Sequence, residues 1–587
     1  MAIYRSDQAQ LSFAVEAAPG GYPELASAVT LATSGDAGEC AINLTDGQPA
    51  GSRSLTVDGM AADEFVVGDL IVIGTSATAS SEIRKVEFVD GTTGLVIDTP
   101  TGFFHANNTV IKIITAVTDT DADKYITFVP GVYESVELPD PEMAIEPRYF
   151  LGTASKRNFY AAYKGQQTYT GSLGGFVLLD GKAMRFPIGK VNTTTTFVNT
   201  AGSTDPTYGA LINNAAGYKK GDVFVTIDTA WDSVPVGAHL LFTGSTTAAT
   251  TSSATCEVRK HVGVASATAL RLNAPLQFDH ANNEYVYAIV TTAGGTTVQS
   301  DAASPTTAVE YTHTIAETVD LDSVSWNAHI RDSSETDAND FDRRYHGGKI
   351  GSMSLSAEEG GLLTCSWDGV NFLGMNHNQK ISTDHAASPS NVDVPFYTLM
   401  QPIRNADVTL PTTEPYYFSQ GQVTLFGSVV ARVRSFNLNV NNNEEPRYYL
   451  KRTMGRHRGP TEILEQRREY TCSVSLALPD AGASLTSTSA NSVFKELLME
   501  GDFGSGMQGF NIELRFDRAA NDSIVISIPG DYTGTAGTGA GTGGNNQGAF
   551  IRTAPHAITE ANPMEVEADI LFRNLSIVVK DAVPVYP

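Results

Sequence analysis

Few residue sets in this 587-residue chain have the types and spacing that chemistry requires. Asp119-Thr120-Asp121-Ala122-Asp123 reads like the start of a calcium loop. An EF-hand needs glycine at its sixth position and a bidentate glutamate at its twelfth; Lys124 and Pro130 stand there instead. Gly181-Lys182 suggests a phosphate loop, yet Phe176 takes the place of its first glycine and Ala183 that of the magnesium-binding Ser or Thr. The stretch Gly530–Gly548 is rich in glycine, but no helical pattern follows it to present an N-terminus to a phosphate; it reads as a flexible hairpin or loop. HExxH, G-x-S-x-G and spaced Cys/His couples are missing from the sequence. Cys40, Cys256, Cys365 and Cys472 lie far apart without a CxxC, so they are expected to be reduced, buried thiols. The expectation is a protein that is not an enzyme, with no catalytic, cofactor-binding or metal-ligating residue and no cofactor.

Charge narrows the class further. Asp and Glu number 65 against 39 Lys and Arg, a net charge of -26, although charged residues make up only 18% of the chain. A phosphate grip needs a basic face, and an anionic membrane attracts cations, so neither is the expected partner. No apolar run reaches the roughly 18 residues of a membrane span, and the opening MAIYRSDQAQL shows no signal-peptide pattern. The acidic run Asp332–Asp342 reads as a solvated loop. One basic segment stands out, 446–470, with Arg447, Lys451, Arg452, Arg456, Arg458, Arg467 and Arg468 around Glu462. Its tyrosines, Tyr448 and Tyr449, would suit single-stranded nucleic acid. The acidity of the rest favours ion pairing with a neighbouring subunit, because guanidinium forks match carboxylates. These eight residues are the candidate subunit interface.

The elements that must carry these residues are strands. Ile512, Leu514 and Phe516 alternate with polar residues, as do Ile524, Ile526 and Ile528. Val566, Ala568, Ile570 and Phe572 form a third series, and Tyr470, Cys472 and Val474 alternate with Thr471, Ser473 and Ser475. A period of two buries one face of an antiparallel sheet. Across Gln422–Val440 the apolar phase shifts between Val433 and Phe436, which predicts a bulge or corner. One short helix is expected after Asn491 or Ser492, with Val493, Phe494, Leu497 and Leu498 as its stripe and Gly501 as its stop.

An internal repeat organises the rest. EIRKV at 82–86 returns as EVRKH at 257–261, and HANN at 105–108 returns at 280–283, both 175 residues on. Leu55–Asp58 returns as Val225–Asp228, 170 on, so a short insertion is expected in the Ser/Thr-rich run Ser245–Ala254. His105 and His280 are read as turn histidines, with the Asn pair supplying left-handed backbone. The expected domains are 50–118 and 220–292, two copies of a small β module, inserted in one discontinuous domain of 1–49, 119–219 and 293–587.

Within that domain, Ser435–Tyr470 reads SFNLNVNNNEEPRYYLKRTMGRHRGPTEILEQRREY. FKELL at 494–498, GFNIELRF at 509–516, NDSIVISIP at 521–529 and PHAI with NP at 555–563 follow. GTASKRNFY and TYTGSLGG within Tyr149–Ile188, and GGKIGSMSLSAEEGG within Tyr345–Phe372, precede them. This set resembles the tail tube proteins of long-tailed phages and archaeal tailed viruses. The resemblance implies a mainly β fold: a β-sandwich tail-tube domain that completes a ring-wide β-barrel, with the two β modules as additions. It implies a structural virion protein whose homohexameric rings stack into the conduit for genome delivery. The implied partners are other copies of itself, other tail proteins at the tube ends, and viral DNA passing without specific binding, with no membrane. The implied location is the virion tail, after assembly in the host cytoplasm. The rival readings are another β-rich decoration, adhesion or surface-layer protein, and a carbohydrate-active enzyme with accessory modules, which would need two carboxyls roughly 5–10 Å apart.

Overall fold

The computed structural model describes residues 4–19, 29–31, 38–62, 64–74, 81–97, 100–117, 128–149, 159, 161–195, 209–228, 239–247, 253–266, 268–292, 295–298, 311–332, 341–377, 380–382, 393–395, 413–425, 428–430, 433–449, 458–477, 511–530, 549–553 and 565–587. The helix expected near 491–501, the Asp119–Asp123 run and most of the glycine-rich stretch lie outside them.

Alternating side chains make strands, and the strands make a sandwich. The broad sheet has nine strands. Its order is Pro141–Arg148, Ala161–Val177, Thr364–Asn371, Ser352–Glu358, Val433–Asn441, Glu469–Ala477, Glu565–Phe572 and Phe550–Thr553, with Val136–Glu137 alongside Ala161–Val177. A seven-stranded sheet covers it: Gly189–Thr195, Tyr311–Glu317, Ser576–Asp581, Asp522–Ile528, Ile512–Ala519, Gly421–Leu425 and Ser428–Val430. A four-stranded sheet of Tyr4–Val15, Val324–Asp332, Phe341–Gly348 and Gly374–His377 closes one side. One core joins all three, with Leu355, Leu438 and Cys472 from the first, Leu514, Ile526 and Val579 from the second, and Phe13, Trp326 and Tyr345 from the third. The fold is mainly β, and the alternating apolar series described in the strands point into this core.

Gln422–Val440, long for one strand, is three: Gly421–Leu425 and Ser428–Val430 form a hairpin in the seven-stranded sheet, and Val433–Asn441 belongs to the broad sheet. The phase shift between Val433 and Phe436 is a bulge, a register shift between Val433 and Ser435, just after the chain has changed sheets. Lys182–Ile188, near the discarded phosphate-loop signal, is a seven-residue helix with Pro187 in its last turn.

The two repeats are closed six-stranded barrels. In barrel 1 the strands run Glu39–Ile42, Ser54–Asp58, Gly94–Ile97, Glu82–Asp90, Leu70–Ile73 and Val110–Val117, which pairs back onto the first. Barrel 2 repeats the order with Gly209–Leu211, Phe224–Thr226, Ala269–Leu272, Glu257–Ser266, His239–Phe242 and Tyr285–Thr292. Its closing bridge, Ile212 with Ile227, falls on the equivalents of Ile42 and Val57, which pair in barrel 1. The first strand of each barrel precedes residues 50 and 220, where the repeated motifs begin.

Candidate functional site

The broad sheet has one buried face and one open face, and the open face has an unusual composition. Across Ser352–Glu358, Thr364–Asp368, Ser435–Asn441 and Glu469–Ser475 the open positions hold Ser, Thr, Asn and the acids Glu358, Asp368 and Glu469, with no Lys or Arg. Register aligns them in rows, such as Thr364–Ser356–Asn437–Ser473 and Ser366–Ser354–Asn439–Thr471. The side chains bond to one another: Ser354 Oγ donates to Asn437 Oδ1 at 2.9 Å, Ser356 and Thr364 hydroxyls lie 3.1 Å apart, and Ser366 Oγ donates to Asp368 Oδ2 at 3.1 Å. Beyond Glu469–Ala477 the same face continues with Glu567, Asp569 and the exposed Leu571, and Asp569 pairs with Arg552 at the sheet edge. Leu571 and that edge pair aside, the wall is polar, short-chained and anionic.

The same sheet extends into an arm. Among the described residues, Pro141–Arg148 and the first half of Ala161–Val177 pair with each other, from Pro141 with Tyr169 to Arg148 with Ala161. Ile145 (66% exposed), Tyr149 (70%) and Tyr163 (58%) stand open on it. At its root Gln167 N–H donates to the Arg458 carbonyl, and Tyr448 Oη donates to the Gln167 carbonyl.

The candidate interface residues divide. Arg447 and Glu462 face each other as register partners in the hairpin Glu445–Arg447 and Glu462–Leu464, and Arg447 pairs with Glu445 at 2.8 Å. Both are exposed, as is Arg467, whereas Arg458 is half-buried. Lys451, Arg452 and Arg456 lie outside the described residues. Arg468 has an internal task. Its Nε donates to Asn442 Oδ1 at 2.6 Å, its Nη1 to the Ile188 carbonyl at 3.1 Å, and Glu317 pairs with it at 3.5 Å. Asn442, 1% exposed, donates onward to the Pro187 and Ile350 carbonyls. The two residues cap the carbonyl end of the 182–188 helix, which otherwise has orphan acceptors. Asn443 adopts a left-handed turn at φ 48° and donates to the Arg467 carbonyl.

Inside the barrels the repeated motifs meet. In barrel 2, Glu257 is 0% exposed; Arg259 Nη2 lies 2.6 Å from it, His280 Nε2 2.9 Å, and the Gln277 N–H donates to it at 2.9 Å. Arg259 spends its other donors on the Pro275 and Val258 carbonyls. Barrel 1 copies this with Glu82, Arg84 (an ion pair), His105 at 2.6 Å, the Gly102 N–H, and the Pro100 and Ile83 carbonyls. Sequence reading placed the histidines on turns; both are also buried partners of a glutamate 23 residues away. The turn role stands beside it. Asn108 and Asn283 sit at φ 65° and 64°, and Asn107 and Asn282 accept the Leu44 and Asn214 N–H groups. Burial alone would lower the His280 pKa, but Glu257 on one ring nitrogen and Glu284 on the other lift it to about 9. Two carboxylates on two nitrogens require both to donate, hence an imidazolium.

All four cysteines are free and buried, and burial lifts the Cys40, Cys256 and Cys472 thiols to about 12, 11 and 12. Among the described residues no helix is long and apolar enough to cross a membrane.

A sandwich with an uncovered polar sheet, an open arm and ornament barrels describes a structural subunit. Comparison with known families gives the particular kind: residues 157–570 match the family described as phage tail tube protein. The chain belongs to that family, and its role is structural, as a component of a viral tail. The match starts after barrel 1 and spans barrel 2. No curated protein matches the chain.

Proposed function

We propose that six copies of this chain close into a ring, that rings stack into the tail tube, and that the open face of the broad sheet lines the channel through which the genome passes. The composition of that face carries the reading. Cationic side chains bind phosphates by releasing condensed counterions; a wall of mutually bonded Ser, Thr and Asn with acids among them offers no such exchange and repels the duplex. Ring closure also gives the sheet edges a partner, which unpaired edge strands need. The division of labour is one discontinuous tube domain carrying two inserted barrels, with barrel limits nearer 38–117 and 209–292 than the motifs alone suggest. Arg447, Glu462 and Arg467, with Lys451, Arg452 and Arg456, supply charged contacts between subunits. Arg458 and Arg468 support them from within the subunit. Assembly takes place in the host cytoplasm, other tail proteins bind the tube ends, and delivery of DNA asks no catalysis of the chain.

The test replaces Ser354, Asn437 and Ser473 together by lysine. Electron microscopy should show stacked six-membered rings as before, because the side chains point away from the core, while genome delivery from variant particles slows or stalls. Normal delivery kinetics would remove this face from the channel, and a wild-type protein that never forms rings would remove the tube assembly itself.

A further inference from the structure

The arm exposes side chains on both faces. Register places Ile145 opposite Lys164 on one face and Glu146 opposite Tyr163 on the other, so each face carries an exposed large apolar side chain. A two-stranded ribbon in water is marginal by itself and gains stability when both faces are covered. A slab with two apolar faces fits between two walls.

The molecule offers such a place. A cleft of about 630 Å³ lies between barrel 1 and the sandwich, with Pro49 and Ala50 on the barrel side and Val319, Leu373, Tyr449 and Leu464 on the other. Val319 is 90% exposed and Tyr449 52%. The duplication supplies an internal comparison for this end of a barrel. The barrel 2 equivalents of Leu44, Pro49, Ala50 and Phe104 are Asn214, Lys219, Lys220 and Asp279. There Lys219 and Asp279 form an exposed pair at 2.8 Å, and Lys220 reaches Asp322 at 2.6 Å. Barrel 1 instead leaves Phe104 57% and Leu44 37% exposed. The equivalent ends thus differ in polarity: Leu44, Pro49, Ala50 and Phe104 of barrel 1 stand where barrel 2 has an asparagine and three charged residues, and Pro49 and Ala50 belong to the cleft lining. Charge does not oppose the contact: the cleft lining holds Asp320, Glu462 and the Lys349–Glu465 pair, and on the arm Lys164 and Arg148 balance Glu142 and Glu146.

We infer that in the assembled tube the arm of one copy seats in the cleft between barrel 1 and the sandwich of a neighbouring copy. The contact rests on the ring-and-tube reading, and it supplies what head-to-tail assembly needs, a donor surface and a different acceptor surface on every subunit. Barrel 1 then acts as one jaw of the acceptor.

Cysteine pairing tests this in the full chain, where the four native thiols are buried and silent. Single cysteines at Ile145 or Tyr163 are combined with single cysteines at Val319 or Thr461 in all four pairings. Oxidation of assembled tubes should link chains into a covalent ladder in at least one pairing, since a disulfide needs Cα atoms about 4.4–6.8 Å apart. Cysteine at Asp279 on barrel 2, combined with either arm position, should not link. The double variant Ile145→Asp, Tyr163→Asp should stay folded and monomeric, with the protein concentration needed for tubes raised about tenfold or more, as for loss of two interface anchors. Tubes that form normally from the double variant and link in no pairing overturn the contact while leaving the tube reading intact. A wild-type chain that forms no rings overturns both.

Discussion

Barrel 1 and barrel 2 share a strand order, a Glu–Arg–His cluster and an Asn–Asn turn, yet they meet the rest of the molecule differently. In barrel 2, the Gln277 side chain accepts the Val191 N–H at 2.9 Å and donates to the Tyr586 carbonyl at 3.2 Å. Thr193 N–H donates to the Cys256 carbonyl, and Asn192 Nδ2 to that of Ser253. Leu241, Val258 and Tyr287 pack outward against Tyr311 and Val585 of the sandwich. The equivalents in barrel 1 are Gly102 for Gln277 and Val72, Ile83 and Lys112 for the three packing residues. Positions that close and stabilise the barrel recur; positions that dock it do not. Duplication has kept the folding requirements and released the surfaces, which is why the same module is welded to the sandwich through its second copy and borders a cleft through its first.

The largest expected effect comes from the shared glutamate. Glu257→Ala or Glu82→Ala leaves an arginine and a histidine buried without their acceptor, which costs about 3–5 kcal/mol in either barrel. Melting should therefore shift by similar amounts. The consequences should separate, because among the described residues it is barrel 2 that hydrogen-bonds to Gly189–Thr195. Amide exchange at Thr193 is expected to accelerate in Glu257→Ala and to stay slow in Glu82→Ala. Equal acceleration in both would mean that the barrels are coupled to the sandwich alike, and the comparison would fail.

A smaller effect isolates docking from folding. Gln277→Gly installs the residue that barrel 1 carries at the equivalent place. It leaves the Glu257 cluster intact, because the bond to Glu257 comes from the backbone N–H. The Val191 N–H and the Tyr586 carbonyl lose their partner, at a cost of about 1–3 kcal/mol. The C-terminal segment should loosen with it: His313, stacked on Tyr586 with ring centroids 3.7 Å apart, should show a changed ring environment by NMR. An unaltered His313 signal with unaltered stability would show that apolar packing around Tyr311 and Val585 does the docking without Gln277.

Much of this was legible in the chain. The alternation of Tyr470, Cys472 and Val474 with Thr471 and Ser473 predicts which residues face the core, because a strand has only two faces. The repeat predicts two copies of one module, and HANN predicts left-handed turns, since asparagine tolerates that backbone where most residues resist it. Other features depend on pairing that no local pattern encodes. Glu257 and His280 meet only after the barrel closes. Arg468 reads as one cation in a basic run, and only the fold brings the end of the 182–188 helix beneath it. That helix itself is too short for a periodicity to register, with Gly181 before it and Pro187 within it. The open face of the broad sheet was visible as alternate Ser, Thr and Asn on separate strands, but its lack of cations emerges when five strands are laid side by side.

The smallest effect probes a difference inside the shared cluster of the two barrels. Glu284 of barrel 2 corresponds to Thr109 of barrel 1, so His280 has carboxylates on both ring nitrogens. An imidazole whose folded pKa is raised contributes stability that is fully present below its unfolded value, about 6.5, and is lost as pH rises through the folded value, about 9 for His280. Barrel 2 should therefore weaken between about pH 6.5 and 9. Glu284→Thr removes one of the two charge-assisted bonds at a cost of about 1.5 kcal/mol at neutral pH, and should pull the His280 midpoint down, so that the weakening ends at lower pH. Imidazole titration by NMR reads the midpoint directly, and denaturant unfolding at pH 6, 7.5 and 9 reads the stability. A midpoint that stays near 9 in the variant would show that Glu257 alone holds the proton.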